Sequence, residues 1–369
     1  MSLLDKIKKN STIKDTAILS ESKFFTKKDM IQTPIPALNI ALSGKLDGGL
    51  TPGLTMWAGP SKHFKTAFSL MMARSYLDKY PDAVMLFYDS EFGTPQSYFD
   101  SFGIDMTRVI HTPITDVEQL KFDCMQQLNG VERNEHLIIV IDSIGNLASK
   151  KEVEDALDGK SVGDMSRAKQ LKSFFRMVTP HLTLKDLPMV VVNHTYKTLE
   201  LYSKDVVGGG TGSYYSADNI FILGRQQEKD GKETVGYNFI INVEKSRYVK
   251  EKSKIPIEVT YEGGISKWSG LLDIAIITGH VVKPSNGWYS RVDMDTGEVE
   301  DKKFRYADTQ NKAFWMQILT SKTFQLAVEK MYTVAHGSII KEEDDVAEVY
   351  ESIDNEEWCV ACVDGLSHY

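Results

Sequence analysis

Gly59-Pro60-Ser61-Lys62-His63-Phe64-Lys65-Thr66 sets a glycine, a lysine and a hydroxyl at the spacing of a phosphate-binding loop, G-x-x-x-x-G-K-[ST]. In such a loop, backbone N–H groups and the N-terminus of the following helix hold anionic phosphates. Lys65 would reach the β- and γ-phosphates of a nucleoside triphosphate, and Thr66 would offer its hydroxyl to Mg²⁺. Phe64 stands where the second glycine is usual. Glycine there permits a tight backbone, so Phe64 must either adopt a less restricted conformation or turn its ring away from the phosphates.

Three further places carry groups that could join this chemistry. Leu137-Ile138-Ile139-Val140-Ile141-Asp142 is an apolar run ending in an acid. A buried strand of that kind sets its carboxylate beside a phosphate loop, where it can serve the Mg²⁺ shell. Phe87-Tyr88-Asp89-Ser90-Glu91 is a second acidic strand end, and a carboxylate there could orient an attacking water. The residues alone do not choose between Asp89 and Glu91, nor between either and a solvated turn. Met189-Val190-Val191-Val192-Asn193-His194 ends a third apolar run in polar groups. Taken alone, His194 reads as a satisfied core histidine; with the long loop that follows, it reads as a nucleotide sensor.

These groups need strands that end together, and the chain supplies them. From about residue 40 to 259 apolar runs alternate with helical patterns, which predicts an α/β domain with a mainly parallel sheet. The strand expectations are 54–58, 84–88, 137–141, 189–193 and 220–223, with 237–243 and 255–260 as a final antiparallel pair. Residues 1–35 read as a helix and an extended arm. Glu262-Gly263-Gly264 marks a break, after which 271–277, 313–319 and 323–332 read as helices around a turn at Gly287-Trp288-Tyr289 in a small α+β domain. The expected divisions are 1–35, 36–262, 263–340 and a tail at 341–369.

Two segments read as loops able to grip a strand of nucleic acid through phosphates and bases. The first runs from Lys150 to Ser166 and holds Lys150, Lys151 and Lys160, with Arg167 just beyond. The second, from Thr195 to Gly212, holds Tyr196, Lys197, Tyr202, Lys204 and Gly208-Gly209-Gly210. Its length without a clear period marks it as a functional segment. Residues 145–205 carry ten basic and eight acidic groups, so a charge-mixed solvated surface is the competing reading.

The net charge of −8 does not exclude a polyanionic partner, because ten acids against one lysine after residue 340 give the tail −9 and leave +1 for the rest. Such a tail suits regulation or competition with phosphates, and equally suits a solvated terminus. Three cysteines, Cys124, Cys359 and Cys362, are too few for a disulfide framework and suit a reducing compartment. The Cys359–Cys362 spacing lacks the second pair a structural zinc site needs. No apolar run approaches the roughly 20 residues that span a bilayer, and the N-terminus has no secretory signal.

Together, the phosphate loop with its aromatic, Tyr88-Asp89-Ser90-Glu91-Phe92-Gly93, the stretch Asp142–Lys151, Asn193-His194-Thr195-Tyr196 and Val243-Glu244-Lys245-Ser246-Arg247 resemble the RecA-type strand-exchange recombinases, and within them the bacteriophage branch. The resemblance implies a RecA-like P-loop ATPase core with a small α+β C-terminal domain. It also implies an N-terminal arm that docks on the adjacent protomer. ATP and Mg²⁺ are the implied cofactors; single- and double-stranded DNA and further copies of the chain in a helical filament are the implied partners. A phage single-strand binding protein, a recombination mediator and the cytoplasm of an infected host follow from the same resemblance.

By position, the resemblance assigns Glu91 as the catalytic glutamate and Tyr98 to stacking on adenine. His194 becomes the sensor, where bacterial RecA has glutamine. Lys245 and Arg247 become the pair that reaches the γ-phosphate of the neighbouring subunit, and the two loops become the DNA-binding loops. A hexameric helicase shares this core, but the match from Gly263 to Tyr289 argues against it. A non-hydrolysing DNA-binding recombination mediator is the other alternative.

Overall fold

The computed structural model describes residues 1–22, 24, 29–159, 166–198, 205–231 and 233–334. Lys160, Tyr202, Lys204 and the acidic tail lie outside them. The described helices are α1 (Leu3–Asn10), α2 (Pro36–Ser43), α3 (Lys65–Lys79), α4 (Gln96–Ser101), α5 (Val117–Gly130), α6 (Lys150–Leu157), α7 (Ser166–Lys185), α8 (Thr211–Ser216), α9 (Leu271–Ile277), α10 (Lys312–Thr320) and α11 (Lys322–Tyr332). The strands are β1 (Gly53–Ala58), β2 (Val84–Asp89), β3 (Val109–Pro113), β4 (Leu137–Asp142), β5 (Pro188–Asn193), β6 (Thr195–Lys197), β7 (Asp205–Val207), β8 (Asn219–Asp230), β9 (Glu233–Ser246), β10 (Lys254–Thr260), β11 (Gly264–Ile265), β12 (Val281–Ser285) and β13 (Trp288–Arg291).

One large sheet runs β11-β10-β9-β8-β1-β5-β4-β2-β3. From β8 to β3 every pairing is parallel, and β9, β10 and β11 extend it in antiparallel fashion. All residues of β1, β4 and β5 are buried, as strands covered on both faces must be. Their side chains alternate between two cores. Trp57, Val140 and Val190 join one, which runs on through Ile255 and Leu271 to Trp315. Leu54, Met56, Ile139, Ile141 and Val191 join the other, closed by Phe174 and Phe175 of α7. This alternation is the two-residue period of a strand expressed as two packed layers.

Several expectations change in detail. β8 is three times and β9 twice as long as expected, and they pair with each other along most of their length. β3 was not expected, and it forms the sheet edge beyond β2. The turn at Gly287 joins a two-stranded hairpin, β12–β13. The start of the first loop is helical: Ser149 and Glu152 form a reciprocal capping box that opens α6. The second loop rises on a short hairpin, β6 pairing with β7. Among the described residues, no helix is long and apolar enough to cross a membrane.

Candidate functional site

The C-terminal ends of β1, β2, β4 and β5 meet at one edge of the sheet, the place where open parallel sheets bind ligands. β1 delivers the phosphate loop and α3 leaves it. Phe64 is the residue before α3 and lies in the left-handed region, φ 64° and ψ 15°. It therefore takes the backbone conformation that glycine adopts freely. The ring turns away, stacked on Phe239 of β9 at 4.8 Å between centroids and set edge-on to Phe68 at 5.9 Å. No side chain caps α3, so its first N–H groups are left for an anion.

Lys65 Nζ donates to the Pro60 carbonyl at 2.8 Å, curling back over the loop. Burial draws its pKa down, with Glu91 and Asp142 acting against that. Thr66 Oγ1 donates to Asp142 Oδ2 at 2.6 Å. Burial, opposed by that bond and reinforced by Glu91 and Asp89, pushes the Asp142 carboxyl up to about 6. Its other oxygen, Oδ1, is buried with no partner. An orphaned, desolvated carboxylate oxygen beside a threonine hydroxyl fits a hard divalent cation, which takes oxygen ligands and would restore the charge.

Geometry separates Asp89 from Glu91. Asp89 Oδ1 accepts the N–H groups of Glu91 and Phe92, at 3.0 and 2.8 Å, and Oδ2 lies 3.2 Å from His111 Nε2. Asp89 thus shapes the turn. Glu91 instead faces a cavity of about 380 Å³ lined by the phosphate loop, Tyr98, Asp142 and His194. His194 Nε2 is 3.0 Å from Glu91 Oε1, and Ser143 Oγ donates to the same oxygen at 2.6 Å. The His194 contact, opposed by burial and helped by Ser143, holds the Glu91 carboxyl below its usual range. A larger groove of about 1130 Å³, beside residues 30–36, holds none of these groups.

His194 also touches the base of the second loop. Its carbonyl accepts the Gly208 N–H at 2.9 Å, while Asn193 Nδ2 donates to the Gly208 carbonyl at 2.8 Å. Gly145 must be glycine for this packing, since a Cβ there would lie 2.1 Å from His194 Cδ2. Tyr98, on α4, is half-buried at the cavity wall with its ring edge-on to Phe102.

Lys245 and Arg247 lie elsewhere. Because β9 runs antiparallel to β8, its last residues return to the end of the sheet opposite the phosphate loop. Arg247 Nε pairs with Asp218 Oδ1 at 2.6 Å, and Asp218 Oδ2 accepts the N–H of Leu54, at the start of β1. About 17 Å of strand then separates Leu54 from the loop. Lys245 Nζ donates to the carbonyls of Tyr214 and Tyr215 at the end of α8. The pair therefore stands too far away to touch a phosphate held by its own loop.

The loop residues divide. Lys150 and Lys151 are exposed on α6, and Tyr196 and Lys197 are exposed on β6. Gly208, Gly209 and Gly210 connect β7 to α8. Arg167 is turned inward, which corrects its expected place on a nucleic-acid surface. Its guanidinium donates to the carbonyls of Ile144, Gly145 and Leu147, bracing the segment after β4. Sequence reasoning gave no role to Ser143, Phe239 or Asp218. Ser143 was visible as the neighbour of Asp142; the other two needed the sheet register.

A phosphate loop, an acid-ended β4 and a glutamate on the turn after β2 define the class: a P-loop ATPase built on a mainly parallel sheet. A family model described as the RecA N-terminal domain matches residues 2–266, so the chain belongs to the RecA family. Another, described as the C-terminal domain of the bacteriophage T4 recombination and repair protein, matches residues 268–328. The recombination and repair protein of Enterobacteria phage T4 is 52% identical over 357 residues, covering 96% of this chain and 91% of that protein. Protein RecA of Arthrospira platensis is 23% identical over 340 residues, 89% of each chain. The crystal structure of the RadB recombinase aligns at 20% identity with a TM-score of 0.47, over 64% of this chain and 98% of that one. Family membership makes this chain a recombinase of the ATP-hydrolysing, DNA-binding and filament-forming kind.

Proposed function

We propose that this chain coats single-stranded DNA as a helical filament and exchanges that strand into homologous duplex, with ATP bound and hydrolysed at each junction between protomers. The observation that carries this reading is the division of the ATP machinery between opposite ends of one sheet. A γ-phosphate on Lys65 can be met by Lys245 and Arg247 only from a second copy. The contact between copies is then heterologous, the kind that generates rings or open helical filaments.

In this reading Lys65 holds the β- and γ-phosphates, Tyr98 stacks on the adenine, and Thr66 and Asp142 hold Mg²⁺. Held by Thr66 and Asp142, the cation would supply positive charge against the phosphate oxygens. Glu91, kept ionised by His194 and Ser143, takes a proton from the attacking water. Lys245 and Arg247 of the neighbour stabilise charge on the transferring phosphoryl group. His194 links this chemistry to DNA, because it touches Glu91 through its ring and Gly208 through its backbone. A γ-phosphate that competes for His194 biases the second loop toward its DNA-holding state, and hydrolysis reverses that bias. DNA contacts would fall to Lys150, Lys151, Tyr196, Lys197 and the three glycines, within an ATPase core spanning 36–262.

Mixing inactive protomers tests the shared site. Lys65→Ala removes the phosphate-holding lysine, and Arg247→Ala removes the contact from the neighbour. Each variant alone should be nearly inert. Together on single-stranded DNA they should regain turnover at junctions where an intact loop faces an intact Arg247, and only when DNA is present. A mixture as inert as its components, or one indifferent to DNA, would refute the reading.

A further inference from the structure

One buried carboxylate ties the start of β1 to the residues after β9, and we propose that this group, Asp218, is a positioning residue for Arg247. It fixes the guanidinium so that the two terminal nitrogens stand ready for the nucleotide of the next protomer. The inference rests on the reading that Arg247 acts across the junction.

Asp218 precedes β8 and is itself anchored twice on Leu54. Its N–H donates to the Leu54 carbonyl and its Oδ2 accepts the Leu54 N–H, both at 2.8 Å. The carboxylate cannot rotate without losing a main-chain partner. Gly53 leaves the space this requires: at φ 108° it has no Cβ, and one there would lie 2.1 Å from Oδ2. The remaining oxygen, Oδ1, forms an ion pair with Arg247, 2.6 Å from its Nε.

The two side chains differ sharply in setting. Arg247 is 67% exposed and Asp218 is 11% exposed. Among the described residues, Nη1 and Nη2 of Arg247 have no partner. A guanidinium is a planar fork, so holding it at Nε orients both terminal nitrogens at once. An unheld arginine would have to lose its rotamer freedom each time a neighbour's phosphate arrived. Asp218 also acts on Lys245: burial and then Arg247 lower that lysine's pKa, while Asp218 opposes the shift and favours the charged form.

A group that merely struts β1 against β8 would have the same bond to Leu54, so the test must report on Arg247. Single-stranded-DNA-dependent turnover is measured at saturating ATP for the full chain, Arg247→Ala, Asp218→Asn and the double variant, with thermal unfolding as the check on folding. Asn keeps an oxygen for the Leu54 N–H and removes the charge. Arg247→Ala should lower kcat by roughly 10³-fold, and Asp218→Asn by roughly 10- to 100-fold. The double variant should be no slower than Arg247→Ala alone. Multiplied losses, or an unaltered kcat in Asp218→Asn, would overturn the inference and leave the shared site standing. An unaltered kcat in Arg247→Ala would instead overturn the shared site itself. Should Asp218→Asn fail to fold, Asp218→Glu, which moves the charge by one methylene, enters the same cycle under the same criteria.

Discussion

The two ends of the central sheet are built on opposite plans. At the C-terminal end of β1, the loop, Lys65, Thr66, Glu91, Asp142 and His194 converge on one cavity. There burial raises the Asp142 carboxyl, and the His194 contact lowers that of Glu91. At the N-terminal end, Lys245 and Arg247 are tethered to two carbonyls and a carboxylate. The first end is a site that bears internal electrostatic tension; the second is a pair of anchored cations. A binding site can be assembled within one chain, while a contact meant for a neighbour must be kept folded, soluble and accessible until that neighbour arrives.

The largest expected effect falls on the crowded end. Glu91→Gln keeps the side chain's shape and removes its basicity, so turnover should drop by about 10³-fold. ATP-dependent filaments on single-stranded DNA should persist and last longer, visible by electron microscopy. Unchanged turnover would take Glu91 out of the chemistry.

The next effect is on stability. Asp142 carries a folded-state pKa of about 6 against an ordinary 3.8. Its contribution to stability is therefore full below pH 3.8 and lost as pH rises through 6. Asp142→Asn avoids that loss. In the absence of Mg²⁺ and nucleotide, the variant should be more stable than the parent by up to about 3 kcal/mol at pH 8. The gain should shrink toward zero near pH 4, and turnover should fall although stability rises. Denaturant unfolding across that pH range reads it out; a gain equal at pH 4 and 8 would contradict the assignment to burial of this charge.

Phe64 gives the smallest effect and joins the two ends, since its ring rests on β9. A left-handed backbone costs a non-glycine residue about 1–2 kcal/mol, and an aromatic pair returns about 0.5–1.5 kcal/mol beyond its burial. Phe64→Ala keeps the strain and loses the ring, for a loss of about 2 kcal/mol. Phe64→Gly loses the ring and the strain together, and should be about 1 kcal/mol more stable than Phe64→Ala. Equal melting of the two would show that the positive φ carries no penalty.

The parts of this molecule most legible in its sequence are those whose signals are local. Buried strands such as 137–142 announce themselves by unbroken apolar runs, and the acid that ends one is visible at its last position. Helix α9 was expected at its observed limits, because its apolar residues sit between Gly270 and Gly279, which end it on both sides. β3 escaped because its sequence, Val109–Pro113, alternates weakly and ends in proline, as an edge strand can. β8 and β9 ran longer than expected because stretches such as Arg225-Gln226-Gln227-Glu228 stay in strand pairing while carrying polar side chains. α6 read as loop because no residue in it is buried, although its capping box was there to be seen. The pairing of Asp218 with Arg247 spans a hairpin whose register no local pattern states. The residues alone left Asp89 and Glu91 open and the family resemblance assigned Glu91; the geometric ground is that Asp89 is already occupied by the turn.

The separation of Arg247 from its own phosphate loop gives a row of these molecules two unlike termini. In the proposed arrangement, the protomer at one extremity would hold a nucleotide that no neighbouring arginine reaches, and the protomer at the other would show an arginine with no nucleotide before it. Fuel at the first terminus would be spared, whereas fuel along the interior would be spent. Such a polymer would carry a built-in direction, adding and shedding members at different speeds from its two tips.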